Sequence, residues 1–129
     1  EGAGAVPVAA ALFHKLPIEG KKVVCLISGG NIDVNILNRV ITRGLVMSGR
    51  KANLTIALED KPGQLEKVAA IVSRCGSNVV SVLHDGSDPN MPISSCFLKL
   101  TLETRDNAQI EQIRQELTKA GFQLVAERV

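Results

Sequence analysis

NLTIALEDKPGQLEKVAAIVSRCGSNVVSVLHD, residues 53–85, changes its hydrophobic period twice, and those changes decide the fold. Leu54, Ile56 and Leu58 alternate with Asn53, Thr55 and Ala57, the period of two of a half-buried strand. After the loop Glu59 to Gly63, the apolar residues Leu65, Val68, Ala69, Val72 and Cys75 fall three or four apart. That spacing predicts an amphipathic helix, stopped by Gly76. Asn78 to Asp85, carrying Val79, Val80, Val82 and Leu83, returns as a second strand.

The downstream sequence repeats the scheme. Gly86 to Pro92 is a turn-rich connection. Cys96, Leu98, Leu100 and Leu102 then alternate with Phe97, Lys99, Thr101 and Glu103 as a third strand. Ile110, Ile113, Leu117 and Ala120 line one face of a second helix ended by Gly121, and Phe122, Leu124 and Ala126 make a last strand. Strand, helix, strand, strand, helix, strand is the ferredoxin-like order, with both helices on one face of an antiparallel sheet. In that order the second strand is a sheet edge, and its backbone stays unpaired unless a second copy covers it.

Upstream the pattern differs. Val6 to Leu16 is Ala-rich and helical, with Pro7 tolerated only in a first turn, and Pro17 and Gly20 stop it. Lys22 to Ser28 (KVVCLIS) reads as a strand whose consecutive apolar residues need cover on both faces. Ser28-Gly29-Gly30-Asn31 turns the chain, and Asp33 caps a helix carrying Ile36, Leu37, Val40, Ile41 and Leu45, which ends between Gly44 and Gly49. A buried parallel-type strand requires neighbours that residues 1–50 do not contain. With Glu1 rather than Met in first place, the chain reads as part of a longer one: 1–50 the end of a truncated α/β domain, 51–129 a complete α+β unit.

Composition narrows the partners. Phe13, Phe97 and Phe122 are the only aromatic residues, too few for a nucleic-acid stacking platform, and a net charge of +2 is too small to suggest a polyanion. An RNA-recognition sheet shares the βαββαβ order, but its third strand needs aromatics where this one has only Phe97. No apolar run approaches a membrane span. Cys25, Cys75 and Cys96 are an odd, widely spaced set inside apolar runs, which reads as buried reduced thiols in a cytoplasmic protein, with no metal-ligand spacing. His14 and His84 have no recognisable partner, and Arg39, Arg43, Arg50 and Lys51 read as a solvated helix end.

Two stretches carry a family resemblance. Glu1-Gly2-Ala3-Gly4-Ala5 and, about twenty residues on, Ile27-Ser28-Gly29-Gly30-Asn31 resemble the end of the catalytic domain of the threonine and serine dehydratases, fold-type II pyridoxal-phosphate enzymes. Leu58 to Leu65 with its Asp60-Lys61-Pro62-Gly63-Gln64-Leu65 run, then Val68 and Gly76-Ser77-Asn78-Val79, resembles the ACT domain signature. The two occur in the order found in regulated dehydratases. The resemblance implies a parent enzyme that deaminates threonine or serine to a 2-oxo acid and ammonia, a threonine ammonia-lyase of isoleucine biosynthesis, under allosteric control by an amino acid.

It implies further that pyridoxal phosphate is held partly by Ser28, Gly29, Gly30 and Asn31, with the Ser28 hydroxyl at the pyridine nitrogen and Glu1 nearby. The family's Schiff-base lysine and phosphate loop lie upstream, so this chain alone is expected to be inactive. Lys15, Lys21 and Lys22 have the wrong neighbours for that lysine and read as surface residues.

In the ACT unit, Leu58, Asp60, Pro62, Gly63, Leu65, Asn78 and Val79 form the expected effector site. The helix N-terminus at Pro62-Gly63 suits a carboxylate, while Asp60 and Asn78 suit an α-ammonium group. Equally, Asp60 can cap the helix and Asn78 shape the turn into the second strand. Leu58 and Leu65 lean toward an apolar effector such as isoleucine or valine, and ACT domains commonly pair, so a homodimer or higher homo-oligomer is expected. A free-standing amino-acid sensor or dimerisation module is the competing reading.

Overall fold

The computed structural model describes residues 1–89 and 91–126, so Asn90 of the Gly86–Pro92 connection and residues 127–129 lie outside the described residues. The elements in chain order are α1 (Gly2–Leu12), α2 (Val34–Met47), β1 (Lys51–Glu59), α3 (Gln64–Arg74), β2 (Asn78–Asp85), β3 (Ser95–Glu103), α4 (Asn107–Lys119) and β4 (Gln123–Val125). They form two compact units, residues 1–41 and 42–129. The sequence reading divides the chain nine residues later, after residue 50, beyond the end of α2 at Met47.

The second unit has the ferredoxin-like fold. Its sheet order is β2-β3-β1-β4 and every pairing is antiparallel, which leaves β2 and β4 at the edges. Along β1 the alternating residues Ala52, Leu54, Ile56 and Leu58 are buried, and in β3 Cys96, Leu98, Leu100 and Leu102 face them in register. Val68, Ile71, Val72 and Cys75 of the α3 segment and Ile113 and Leu117 of α4 complete the core. Leu65, expected on the buried face of α3, is instead 47% exposed because it sits in the first turn beside an open cavity.

The boundaries follow from capping chemistry. α2 ends in a Schellman arrangement in which Arg50 N–H donates to Leu45 O and Gly49 N–H to Val46 O, with Gly49 at φ 69°. A Cβ built on Gly49 would lie 2.5 Å from the Asn107 backbone nitrogen, so shape and backbone both require glycine there. α4 starts at Asp106, whose carboxylate accepts from Gln109 N–H at 2.8 Å.

The first unit departs from the sequence reading in three ways. α1 begins at Gly2, four residues early, so Pro7 lies inside it rather than in the first turn, and it ends at Leu12, before Pro17. His14 adopts φ 52° just past that end. Residues 22–28 form no strand: Val24, Leu26 and Ile27 are 95%, 77% and 69% exposed. A strand needs hydrogen-bonding neighbours, and the described residues provide none for this segment. Asp33 does cap α2, accepting from Asn35 and Ile36 N–H at 2.8 and 3.2 Å. The α2 apolar residues Ile36, Val40 and Ile41 remain exposed.

Candidate functional site

β1 does not stop abruptly at Glu59. Asp60 N–H donates to Ser94 O at 2.8 Å, continuing the strand's alternation one step past Leu58, so Asp60 falls on the helix side of the sheet. Lys61 N–H folds back to Glu59 O at 2.9 Å, and Gly63, at φ 85°, opens α3. No side chain caps this helix, so Asp60 does not take the capping role that the sequence left open for it. The N–H groups of the first turn carry the positive end of the helix dipole, and beside them a Cβ on Gly63 would meet nothing within 4 Å.

This turn borders a cavity of about 370 Å³ lined by Leu58, Asp60, Pro62, Gly63 and Leu65, together with Glu59, Lys61, Gln64, His84 and Cys96. Five of the seven expected effector-site residues therefore meet in one place. Asn78 and Val79 do not join them. They pair with Glu103 and Leu102 at the far end of β3, while Leu58 and Glu59 pair with Cys96 and Ser95 at its near end. Some seven residues of strand, on the order of 20 Å, separate the two groups within one chain. Asn78 Nδ2 donates to Glu103 Oε2 at 3.2 Å. A larger depression of about 610 Å³ shares Leu58, Glu59 and Gln64 with the first and extends to Lys67, Met91 and Phe122.

Charge is unevenly distributed around the smaller cavity. Glu59 is paired with Lys61, whose hydrogen bond and charge hold that carboxyl below its ordinary value. Asp60 faces His84, with Oδ1 and Nε2 3.4 Å apart. Cys96, 2% exposed, has its thiol pushed up by burial first and by the Asp60 charge second.

Sequence reasoning set His84 and Cys96 aside from any site. For His84 a bulge decides its face: β2 slips register between Val79 and Ser81, so that Val82 and His84 stand opposite Leu100 and Leu98 on the helix side. A period-two reading carried through from Val79 puts His84 on the other face.

In the first unit, Glu1 and the Ser28–Asn31 segment do come together. The Glu1 carboxylate accepts from Gly30 N–H at 3.1 Å and Asn31 N–H at 3.4 Å. Gly29 has φ 97°, and a Cβ there would lie 2.5 Å from Glu1 Oε2. Gly4 packs against the Ser28 carbonyl, where a Cβ would sit 2.8 Å from the oxygen. Ser28 itself is exposed. For pyridoxal phosphate these residues fit one contact, the Ser28 hydroxyl to a ring nitrogen. The Gly30 and Asn31 amides are already taken by a carboxylate, so they suit holding Glu1 rather than a phosphate.

No family model matches the chain. It is 47% identical over 124 residues to L-threonine ammonia-lyase of Thermotoga maritima, covering 96% of this chain and 31% of that protein. It is 38% identical over 122 residues to L-threonine ammonia-lyase of Geobacter sulfurreducens, covering 95% and 30%. Among solved structures, the ACT domain from GTP pyrophosphokinase of Chlorobium tepidum aligns with TM-score 0.45 and 15% identity over 58% of this chain and 96% of that one. Prephenate dehydratase from Streptococcus mutans aligns with TM-score 0.45 and 17% identity over 58% and 40%. The chain spans about 31% of the length of the first of these curated relatives, and no helix among the described residues is long and apolar enough to cross a membrane. Over nearly its whole length the chain is similar to one segment of the L-threonine ammonia-lyases.

Proposed function

We propose that this chain is the regulatory end of an enzyme that deaminates L-threonine or L-serine to a 2-oxo acid and ammonia, and that residues 51–129 are an ACT domain binding an amino-acid effector. The observation that carries the sensing half is the cavity where an uncapped helix N-terminus, opened by Gly63, lies beside Asp60. A ligand carboxylate suits the α3 N–H groups and its ammonium suits Asp60, while Leu58 and Leu65 offer an apolar wall for a side chain such as that of isoleucine or valine.

Asn78 and Val79 enter this reading only through a second copy. Antiparallel pairing of two β2 edges sets the start of one strand against the end of the other, which carries the partner subunit's Asn78 toward the end that bears His84. The catalytic half rests on the relatives' activity and on residues 1–33. Bound pyridoxal phosphate supplies an electron sink for the substrate's Cα. Ser28 would donate to its pyridine nitrogen, and Glu1, held by Gly30 and Asn31, would be oriented at the same turn. The chain alone, without an upstream lysine, would not turn over threonine.

Calorimetric titration with the twenty amino acids, with sedimentation to read assembly, tests the sensor. Isoleucine or valine should bind a dimer, and Asp60→Ala should weaken binding by about 1.5–3 kcal/mol, the worth of a hydrogen bond to a charged group. Binding indifferent to Asp60→Ala, or none at millimolar effector, would leave an assembly module instead.

A further inference from the structure

Three strand ends converge at the cavity's rim. Asp60 follows β1, His84 lies near the end of β2 and Cys96 near the start of β3, and all three fall on the helix side of the sheet. One ligand atom from each, a carboxylate oxygen, an imidazole nitrogen and the thiol sulfur, lies within 4.8 Å of the other two. Donors sharing one tetrahedral ion at bond lengths of about 2.0–2.3 Å lie roughly 3.5 Å apart. Asp60 and His84 are already at 3.4 Å. The separations to the thiol sulfur are at most 4.8 Å, and Asp60 and His84 are exposed side chains with room to rotate, whereas Cys96 is fixed in the core.

We propose that Asp60, His84 and Cys96 bind a divalent transition-metal ion of the zinc type. The donor chemistry selects the class. A thiolate with an imidazole disfavours magnesium and calcium, which take oxygen ligands, and suits zinc or cobalt. Three protein ligands leave a coordination position for water. A plain Asp60–His84 ion pair is the competing account. It is exposed on both sides and worth little, and it leaves the thiol, within 4.8 Å of both partners, with core packing as its sole role.

This inference stands apart from the effector proposal, although both use Asp60, so a bound metal should weaken effector binding. The test is made on metal-stripped chain with no amino acid present. Calorimetry with Zn²⁺ should show one ion per chain. Co²⁺ should give a near-ultraviolet thiolate-to-cobalt band, lost in Cys96→Ser. His84→Ala and Asp60→Asn should each weaken Zn²⁺ binding on the order of tenfold or more, while His14→Ala leaves it unchanged. Both decisive substitutions are at exposed positions, so they remain informative if Cys96→Ser fails to fold. Retention of full affinity in His84→Ala and Asp60→Asn, persistence of the cobalt band in Cys96→Ser, or no Zn²⁺ binding below about 1 mM would overturn the site.

Discussion

At the scale of single residues the three cysteines separate into two kinds. The sequence places all three in apolar runs, yet Cys25 is only half-buried, because the run around it forms no strand, and its thiol donates to Pro7 O at 3.6 Å. Cys75 and Cys96 are 8% and 2% exposed, and burial pushes both thiols up, so little of either is thiolate near neutral pH. An uncharged disulfide reagent at neutral pH is therefore expected to consume one thiol fast and two only on unfolding, with the fast phase missing in Cys25→Ser. Two fast equivalents in the wild-type chain would contradict the burial of Cys75 or Cys96. What separates the cysteines is tertiary context, which no local pattern encodes. The same holds for His84: its face depends on the bulge at Val80, and nothing in Asn78–Asp85 announces an extra residue.

At the scale of elements, the second half of the chain was legible because each local signal agrees with the packing. Alternation in β1 and β3 coincides with burial, residue for residue, and Gly76 and Gly121 follow their helices with φ 74° and 88°. The helix-to-helix link was not legible. Gln109 reads as an ordinary polar residue of α4, yet it is 2% exposed, donating to Cys75 O at 2.7 Å and accepting from Arg105 N–H at 2.7 Å. It closes two backbone groups at once, the end of α3 and the approach to α4. Gln109→Leu keeps the volume and strands both groups in the interior, for an expected loss of about 1–3 kcal/mol per group left unsatisfied, reduced where water reaches it. Gln115→Leu, on the exposed side of the same helix, should change stability by less than about 0.5 kcal/mol. Urea unfolding of both variants measures the contrast, and equal midpoints would remove the link's importance.

At the scale of the whole molecule, the two units differ in what holds them. Among the described residues, every buried apolar residue of the core lies between Ala52 and Leu117. In residues 1–41 only Gly4 is buried, and the apolar run at 23–27 is largely open to solvent. The sequence signalled this through the unmet need of that run for cover on both faces, while its form without cover could not be read from the pattern. Hydrophobic burial scales with apolar area removed from water, so the cooperative stability of the chain should reside in residues 42–129. A chain of those residues alone is expected to unfold in one transition within about 1 kcal/mol of the full chain, since none of the core is removed and the α2 residues that are lost bury nothing. Amide exchange provides the second reading: β1 and β3 amides should exchange at the rate of global unfolding, and those of residues 22–33, which belong to no helix or strand, orders of magnitude faster. Slow exchange at Val24 to Ile27, or loss of the cooperative transition on truncation, would mean that residues 1–41 stabilise the chain through burial that these exposures do not contain.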